Sequence, residues 1–355
     1  MMDLTEAVEA LRIDCDDYMR TVRALQAMAN EFLWDDSARG FSTTGRAYFG
    51  ASLDTSAQNR ISPNRKVTPD LIIMRPPDCS ILAEAKIGLP GKEAHRRERI
   101  REIQKYDDNL SGFEADGCKF RDHDISLLVS LAHANAVRDD LAAMEKVGEI
   151  KFERRFSLIR FFMTEERKTW FVLELVSGSL SNGKKMEKLR RPLQIDMEHL
   201  IRNRSFGHVK FYDAEPPLPL LMTEIHKLVL SSLTREQEFR LRETNQVDIP
   251  MTVDEMRARI ADSCGPMSSS AGRTPDIPKA HWVKKALESF TGLGWATRKG
   301  REAYTYHLKR RRDPFTQFLK WCAQQQCKSA EERERRRQKE AQKLPLFKKE
   351  ILGGG

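Results

Sequence analysis

Three charged residues lie at the ends of two short apolar segments. The stretch TPDLIIMRPPDCSILAEAKIG, residues 68–88, has two apolar runs separated by a Pro-Pro-Asp turn. Asp70 comes just before the first run, and Glu84 and Lys86 lie at the end of the second. Charged groups beside buried strands are costly unless they are paired or hold a metal ion. Two carboxylates and an ammonium in such positions could support metal-dependent hydrolysis of a phosphodiester.

Strand periodicity predicts how these residues are arranged. If the two runs form an antiparallel hairpin that turns at RPPDC, the centre of the hairpin falls near residue 77. Asp70 then lies opposite Glu84 or Ala85. Side chains alternate between the faces of a strand, so Glu84 and Lys86 share one face. The hairpin is therefore expected to bring the three charged residues together at its open end.

The chemistry of these groups fits a hard cation. Two carboxylates and a strand carbonyl supply oxygen ligands that suit Mg²⁺, with Mn²⁺ as a substitute. Such an ion polarises a phosphate and acidifies a bound water. An adjacent lysine can orient or deprotonate that water, or stabilise developing charge. The alternative is a structural ion-pair cluster, because Pro-Asp followed by Glu-x-Lys is a short pattern that arises often by chance.

The surrounding sequence resembles the PD-(D/E)xK nuclease superfamily. The resemblance covers roughly residues 20–180 and rests on Pro69-Asp70 and on Glu84-Ala85-Lys86 in the next strand. A preceding helix that ends near Glu31 and a following helix that carries Gln104 and Tyr106 also match. The resemblance implies a restriction-endonuclease-like fold, with a mixed sheet flanked by helices, and a Mg²⁺-dependent deoxyribonuclease.

The resemblance also assigns roles to individual residues. It implies that Lys86 activates water and that Gln104 approaches the site, although a solvent-facing glutamine is the alternative for Gln104. We interpret Tyr106 as a packing residue, and His123 as a strand-end residue without catalytic spacing. The implied catalytic residues are Asp70, Glu84, Lys86 and Gln104, and the implied metal ligands are Glu31, Asp70, Glu84 and the carbonyl of Ala85.

The rest of the chain predicts two folded regions. Helical periodicity over residues 5–33, followed by strand-like and helical segments, gives the order α-β-β-β-α-β-α-β-β of a mixed α/β domain. After a polar, proline-rich stretch come three helical segments and a basic hairpin, the order of a winged helix-turn-helix. We predict a nuclease domain at 1–180, a linker at 181–218, a mainly helical winged helix-turn-helix domain at 219–312, and a basic helical or disordered tail at 313–355.

The positive charge is concentrated near the C-terminus. Residues 263–355 carry 21 Lys+Arg and 9 Asp+Glu, a net charge of +12, whereas the first 262 residues carry 40 and 43, a net charge of −3. Such an asymmetry indicates an anionic partner, with DNA as the first candidate and a protein-docking winged helix as the alternative. The predicted DNA contacts are Lys279, Lys284, Lys285, Arg298, Lys299, Arg301, Arg310 and Arg311.

Bulk features narrow the class of protein. No apolar run approaches the ~18 residues that a membrane span needs, so no membrane partner is expected. The six cysteines form no CxxC pair and are typical of reduced thiols in a cytoplasmic protein. The sequence therefore predicts a cytoplasmic DNA endonuclease, by analogy a prokaryotic restriction or anti-phage defence effector. A non-catalytic DNA-binding regulator, a nuclease subunit docked to a partner ATPase or helicase, and a self-dimer remain alternatives.

Overall fold

A computed structural model describes most of the chain. The chain divides into two compact units. The sheet unit comprises Asp17–Glu215 and Asp254–Val283, and the terminal unit comprises Met1–Asp16, Pro216–Val253 and Lys284–Gly355. The described residues are 3–33, 46–55, 66–75, 79–86, 88–89, 91–107, 110–111, 114–115, 118–120, 122–164, 170–198, 211–212, 214–263, 278–309 and 313–351.

Helices are interspersed with groups of one to five strands along the described part of the chain. The helices are α1 Leu4–Leu33, α2 Glu93–Arg101, α3 Leu131–Lys146, α4 Gly183–Leu189, α5 Leu218–Ser231, α6 Arg235–Thr244, α7 Val253–Ser263, α8 Ala280–Gly292 and α9 Pro314–Ile351, with a 3-10 helix at Glu102–Tyr106. The strands are β1 Arg46–Phe49, β2 Leu53–Thr55, β3 Lys66–Val67, β4 Leu71–Arg75, β5 Cys79–Lys86, β6 Leu110–Ser111, β7 Glu114–Ala115, β8 Cys118–Lys119, β9 His123–Ser130, β10 Phe156–Met163, β11 Trp170–Gly178, β12 Leu193–Asp196, β13 Gln246–Thr252, β14 Ala296–Arg298 and β15 Ala303–Lys309.

A mixed sheet forms the framework of the sheet unit. Its seven described strands follow the order β1-β4-β5-β9-β10-β11-β12. The pairs β5–β9 and β9–β10 are parallel, and the other pairs are antiparallel. Strand β9 is buried over Asp124–Val129 on both faces, as expected of a central strand with parallel neighbours. The prediction of a mixed α/β domain with helices flanking a mixed sheet is confirmed.

The face of the sheet that carries the charged residues packs against α2, the 3-10 helix and α3. Its apolar cluster includes Ile72, Leu82 and Leu127 from the strands, together with Ile103 and Val137 from the helical segments. Side chains two positions apart along a strand point to the same face of the sheet. Asp70 therefore shares the face of Ile72, and Glu84 and Lys86 share the face of Leu82. The charged ends of β4 and β5 therefore face the side of the sheet that α2 and α3 cover.

The predicted β4–β5 hairpin is confirmed, including its centre. Leu71 pairs with Ala83, and Arg75 pairs with Cys79, so the two strands are symmetric about residue 77. Extending this register by one residue beyond the Leu71–Ala83 pair places Asp70 opposite Glu84.

Two segments extend the folded structure beyond their predicted limits. Residues 181–218, predicted as a linker, contain α4 and β12, and β12 pairs antiparallel with β11 at the edge of the sheet. The segment at 313–355, predicted as a tail, begins with a folded part of α9. There Phe318, Leu319 and Cys322 are buried, because apolar residues recur at helical spacing before the charged part of the helix.

The terminal unit combines helices with a three-stranded sheet of order β13-β15-β14. Helix α6 begins with a capping box, in which Thr234 and Gln237 each bond the other's backbone N–H. The core of the unit is aromatic. Trp295 and Phe318 lie 4.9 Å apart between ring centroids, and Phe290 and Tyr306 lie 5.0 Å apart.

Among the described helices of both units, none has the length and apolar character needed to cross a membrane.

Candidate active site

Asp70, Glu84 and Lys86 converge at the open end of the β4–β5 hairpin. Asp70 precedes β4, and the other two residues lie near the end of β5. Both carboxylate residues are buried, with 6% of Asp70 and 7% of Glu84 exposed. The Lys86 side chain is 25% exposed and so reaches the surface. The site is therefore an acidic pair in a largely dry place, with its ammonium toward solvent.

Hydrogen bonds fix both carboxylates. The backbone N–H of Ala85 donates to Asp70 Oδ2 at 2.8 Å. Lys86 Nζ donates to Glu84 Oε1 at 2.8 Å. The Tyr106 hydroxyl donates to the other Glu84 oxygen, Oε2, at 2.7 Å, and lies 3.1 Å from the carbonyl of Thr68. Each carboxylate of the pair is thus oriented by a named donor.

The electrostatics keep Lys86 protonated. Burial lowers the pKa of the ammonium, but the nearby Glu84 and Asp70 carboxylates, the hydrogen bond to Glu84 and the charge of Glu102 together outweigh this effect, and the pKa is raised. A lysine with a raised pKa is a hydrogen-bond donor at neutral pH and not a proton acceptor. In this state Lys86 can steady a negative oxygen or orient a water.

The carboxylates fit a magnesium-like ion, although they do not form a complete cage. No group of three or more His, Cys, Asp or Glu side chains placed to hold a metal occurs among the described residues. Mg²⁺ is commonly held by one or two carboxylates and keeps several waters. Carboxylate oxygens that accept one hydrogen bond still have lone pairs to offer. Asp70 and Glu84 could supply oxygen donors of the kind that such an ion prefers, and a role for the carbonyl of Ala85 stays a prediction.

Two residues assigned by the resemblance have other contacts. The Glu31 carboxylate pairs with Lys185 Nζ at 3.0 Å and Lys188 Nζ at 3.6 Å, both on α4. The Gln104 side-chain amide donates to the carbonyl of Lys151 at 3.4 Å. The apolar cluster on the face of the site contains no residue of α1 among its described members. A role for Glu31 or Gln104 at the site stays a prediction.

Tyr106, for which the sequence favours a packing role, also makes a hydrogen bond to the candidate site. It lies in the apolar stripe of the charged segment and is 1% exposed, which favours a packing role. A buried tyrosine hydroxyl nevertheless needs a hydrogen-bond partner, and here that partner is the Glu84 carboxylate. The signal in the sequence is a single tyrosine among aliphatic residues in a stripe that follows the two candidate strands.

The predicted DNA-binding residues lie in both units. In the sheet unit, Lys279 Nζ lies 5.1 Å from the centre of a Trp282 ring. In the terminal unit, Lys284 is half-buried and Lys285 is exposed on α8. Residues 298–301, the basic loop, comprise the last residue of β14 and the first three residues of its connection to β15. Within this loop Arg298, Lys299 and Arg301 are exposed, and Arg310 and Arg311 lie outside the described residues.

The basic loop is internally bonded. Arg298 Nε donates to the carbonyl of Gly300 at 2.9 Å, and a terminal nitrogen of Arg298 donates to the carbonyl of Arg301 at 3.2 Å. The backbone N–H of Lys299 donates to the carbonyl of Ala303 at 2.9 Å. These bonds hold the loop in a defined turn while its cationic side chains stay in water.

Comparisons with family models, curated proteins and solved structures gave no match to this chain.

Proposed function

We propose that the protein is a metal-dependent nuclease that hydrolyses phosphodiester bonds in DNA. The observation that carries the proposal is the burial of Asp70 and Glu84 side by side, with Lys86 bonded to one of them. Among these three residues the negative charges outnumber the positive charge. Two like charges in a site of low dielectric favour the arrival of a cation. A divalent cation held by oxygen donors would offset the excess negative charge.

The residues have separable tasks in this proposal. A bound Mg²⁺ or Mn²⁺ would polarise the scissile phosphate and acidify a water. Asp70, Glu84 and the Ala85 carbonyl would hold the ion. Lys86, kept protonated by the carboxylates, would donate to a phosphate oxygen or orient the attacking water. Lys86 would not act as a general base, because its pKa is raised and not lowered.

The terminal elements support DNA as the substrate. From α6 onward the chain order is α6-β13-α7-α8-β14-β15, and the three strands have the sheet order β13-β15-β14. This is the order of a winged helix-turn-helix, in which the connection between the last two strands contacts the phosphate backbone. The basic loop occupies that connection and exposes three cationic residues. Binding built on such contacts would be salt-dependent and weakly sequence-specific.

The test is cleavage of supercoiled circular DNA and of linear DNA by the full chain, with Mg²⁺, with Mn²⁺ or with EDTA. We expect metal-dependent nicking of the circle by wild type, and loss of at least two orders of magnitude of rate in both Lys86→Ala and Asp70→Asn. DNA retention in a gel-shift assay should survive in both variants. Equal cleavage by wild type and Lys86→Ala would refute the proposal.

One observation favours a non-catalytic alternative. Both oxygens of Glu84 already accept hydrogen bonds, and the contact to Lys86 is a closed ion pair. Such a cluster could serve stability alone in a DNA-binding regulator. That alternative predicts DNA retention without cleavage under any metal condition. A chain that cleaves only when a partner ATPase or helicase is added would instead be a docked nuclease subunit, and a role in restriction or anti-phage defence stays a prediction.

A further inference from the structure

The residue after Tyr106 ties its segment to a distant loop. Asp107 follows the 3-10 helix directly, and its two carboxylate oxygens accept different backbone N–H groups. Oδ2 accepts from Glu153 at 2.8 Å, and Oδ1 accepts from Arg154 at 2.9 Å. These two residues belong to the loop that leads into β10. A single side chain therefore fixes the end of the 3-10 helix against residues 46 and 47 positions further along the chain.

Other contacts hold the same segment. The Nε2 nitrogen of buried His123 lies 2.7 Å from the backbone carbonyl of Tyr106. Because a carbonyl can only accept, His123 Nε2 is the donor. Arg101 Nε donates to Glu149 at 2.7 Å, and the Gln104 amide donates into the same loop. The segment that carries Tyr106 is thus held from β9 and from the loop before β10, and none of these contacts is made by Asp70, Glu84 or Lys86.

We propose that Asp107 and Tyr106 are positioning residues for the candidate metal site, with Asp107 fixing the 3-10 helix and Tyr106 fixing Glu84. This inference rests on the proposed function, because it assumes that Glu84 is a metal ligand. Neither residue touches the ion or the reacting phosphate in this role. Their effect is to hold the Glu84 carboxylate in one orientation before a cation arrives.

The physical reason is the flexibility of glutamate. Its side chain has three rotatable bonds, and ordering it costs conformational entropy that a ligand must otherwise offset when the metal binds. A hydrogen bond from Tyr106 at 2.7 Å orders the carboxylate in advance. Removing such an outer partner of a metal ligand typically lowers metal affinity 10- to 100-fold. Asp107 acts one step further away, so its loss should have a smaller effect.

The experiment is calorimetric titration of the full chain with Mn²⁺ alone, which measures binding and not activity. We expect Tyr106→Phe to weaken Mn²⁺ binding about tenfold and Asp107→Ala to weaken it about threefold. Asp107→Asn keeps one acceptor oxygen and should lie between wild type and Asp107→Ala. The matched control is Tyr18→Phe. Tyr18 is another buried tyrosine, whose hydroxyl bonds to the backbone of Tyr212 and Ala214, and its loss should leave Mn²⁺ affinity unchanged.

A double-mutant cycle separates positioning from general destabilisation. If Asp107 acts through the Tyr106 hydroxyl, Asp107→Asn should have no further effect on Mn²⁺ affinity in the Tyr106→Phe background. Additive effects would refute that route. Tyr106→Phe affinity within twofold of wild type would overturn the inference and leave the proposed nuclease function standing. If Tyr106→Phe does not fold, the Mn²⁺ affinities of Asp107→Asn and Asp107→Ala are compared with wild type instead. Values that both lie within twofold of wild type would overturn the inference. Absence of Mn²⁺ binding by wild type would refute the proposed function itself, and the inference with it.

Discussion

Replacing Lys86 by Met tests whether the buried carboxylates of Asp70 and Glu84 repel each other. Methionine keeps most of the unbranched stem and removes only the ammonium. In wild type, Lys86 Nζ lies 2.8 Å from Glu84, and the charges of Glu84 and Asp70 both act to raise the lysine pKa. The variant leaves two buried negative charges, one just before β4 and one near the end of β5, without that ammonium. We expect the protein to be destabilised and to respond to protons and to divalent cations.

The size of the effect follows from burial. Removing one partner of a buried ion pair costs roughly 3–5 kcal/mol. Lys86 is 25% exposed, so water screens part of the interaction. Asp70 keeps the N–H of Ala85 and Glu84 keeps the hydroxyl of Tyr106. We therefore expect a loss of about 2–3 kcal/mol at pH 8, which a domain of ordinary stability survives.

The direction of the pH dependence is fixed by linkage. In wild type the pKa of Lys86 is raised in the folded state. Its contribution to the free energy of unfolding is therefore complete below the unfolded lysine pKa of about 10.4, and it is lost only as the pH rises through the folded pKa. That contribution is constant between pH 5 and pH 8. In Lys86→Met, protonating one carboxylate relieves the repulsion, so the folded variant takes up protons more readily. The deficit should shrink as the pH falls from 8 to 5.

The assay is urea denaturation of both proteins at pH 5, 6.5 and 8, with and without Mn²⁺. Lys227→Met is the matched control. Lys227 also lies 2.8 Å from a glutamate, Glu224, but its side chain is 61% exposed. Its replacement should change the free energy of unfolding by about 0–1 kcal/mol and show little pH dependence. A Lys86→Met deficit that is the same at every pH, and that Mn²⁺ does not reduce, would refute the reasoning.

Three further predictions concern backbone conformation, thiol reactivity and DNA binding. Gly178 and Gly148 both have positive φ, so alanine should cost about 1–2 kcal/mol at either position. Gly178→Ala should lose more in urea denaturation, because its Cβ would overlap the backbone carbonyl of Phe156 whereas Gly148 has open space; equal losses would contradict this. Burial raises the pKa of the Cys322 thiol to about 12, so alkylation at pH 8 followed by mass spectrometry should modify half-buried Cys327 well before Cys322, and the reverse order would contradict the placement of α9. Serine at all three basic positions of the basic loop should weaken DNA binding in fluorescence anisotropy and reduce the salt slope by roughly one per lost phosphate contact; an unchanged slope would exclude the loop from the interface.

The hairpin was predictable because it is local. Its register depends on a turn and on strand alternation, and both can be read from residues 68–88. Reflection about residue 77 therefore places Asp70 opposite Glu84 or Ala85 without knowledge of any other element. The contacts of Glu31 could not be found in this way. Its cationic partner Lys185 is 154 residues away along the chain, and its position depends on how α4 returns after β11.

The limits of the folded regions were less predictable, for a different reason. Strand β12 has only four residues and follows a basic helix, so its apolar content is small. An edge strand pairs on one side and often carries polar residues that discourage aggregation, which makes it resemble a linker. The buried residues of α9 occupy about two turns of a 38-residue helix whose remainder is mostly polar or charged. Average composition over the segment therefore hides its contribution to the core.

Catalytic candidates and the residues that position them leave different traces in a sequence. Asp70 and Glu84 are conspicuous because a carboxylate at the end of an apolar strand conflicts with burial, and a conflict of that kind needs a physical reason. Tyr106 does not stand out in this way, because its ring is mostly apolar and is readily buried in an apolar stripe. Only its hydroxyl needs a hydrogen-bond partner. The position of the Tyr106 hydroxyl beside Glu84 depends on the 3-10 helix and on the loop bonded to Asp107, and both depend on the tertiary structure. Sequence reasoning can therefore locate the acidic pair, whereas the bond between Tyr106 and Glu84 depends on the fold, which places two residues 22 positions apart within 2.7 Å of each other.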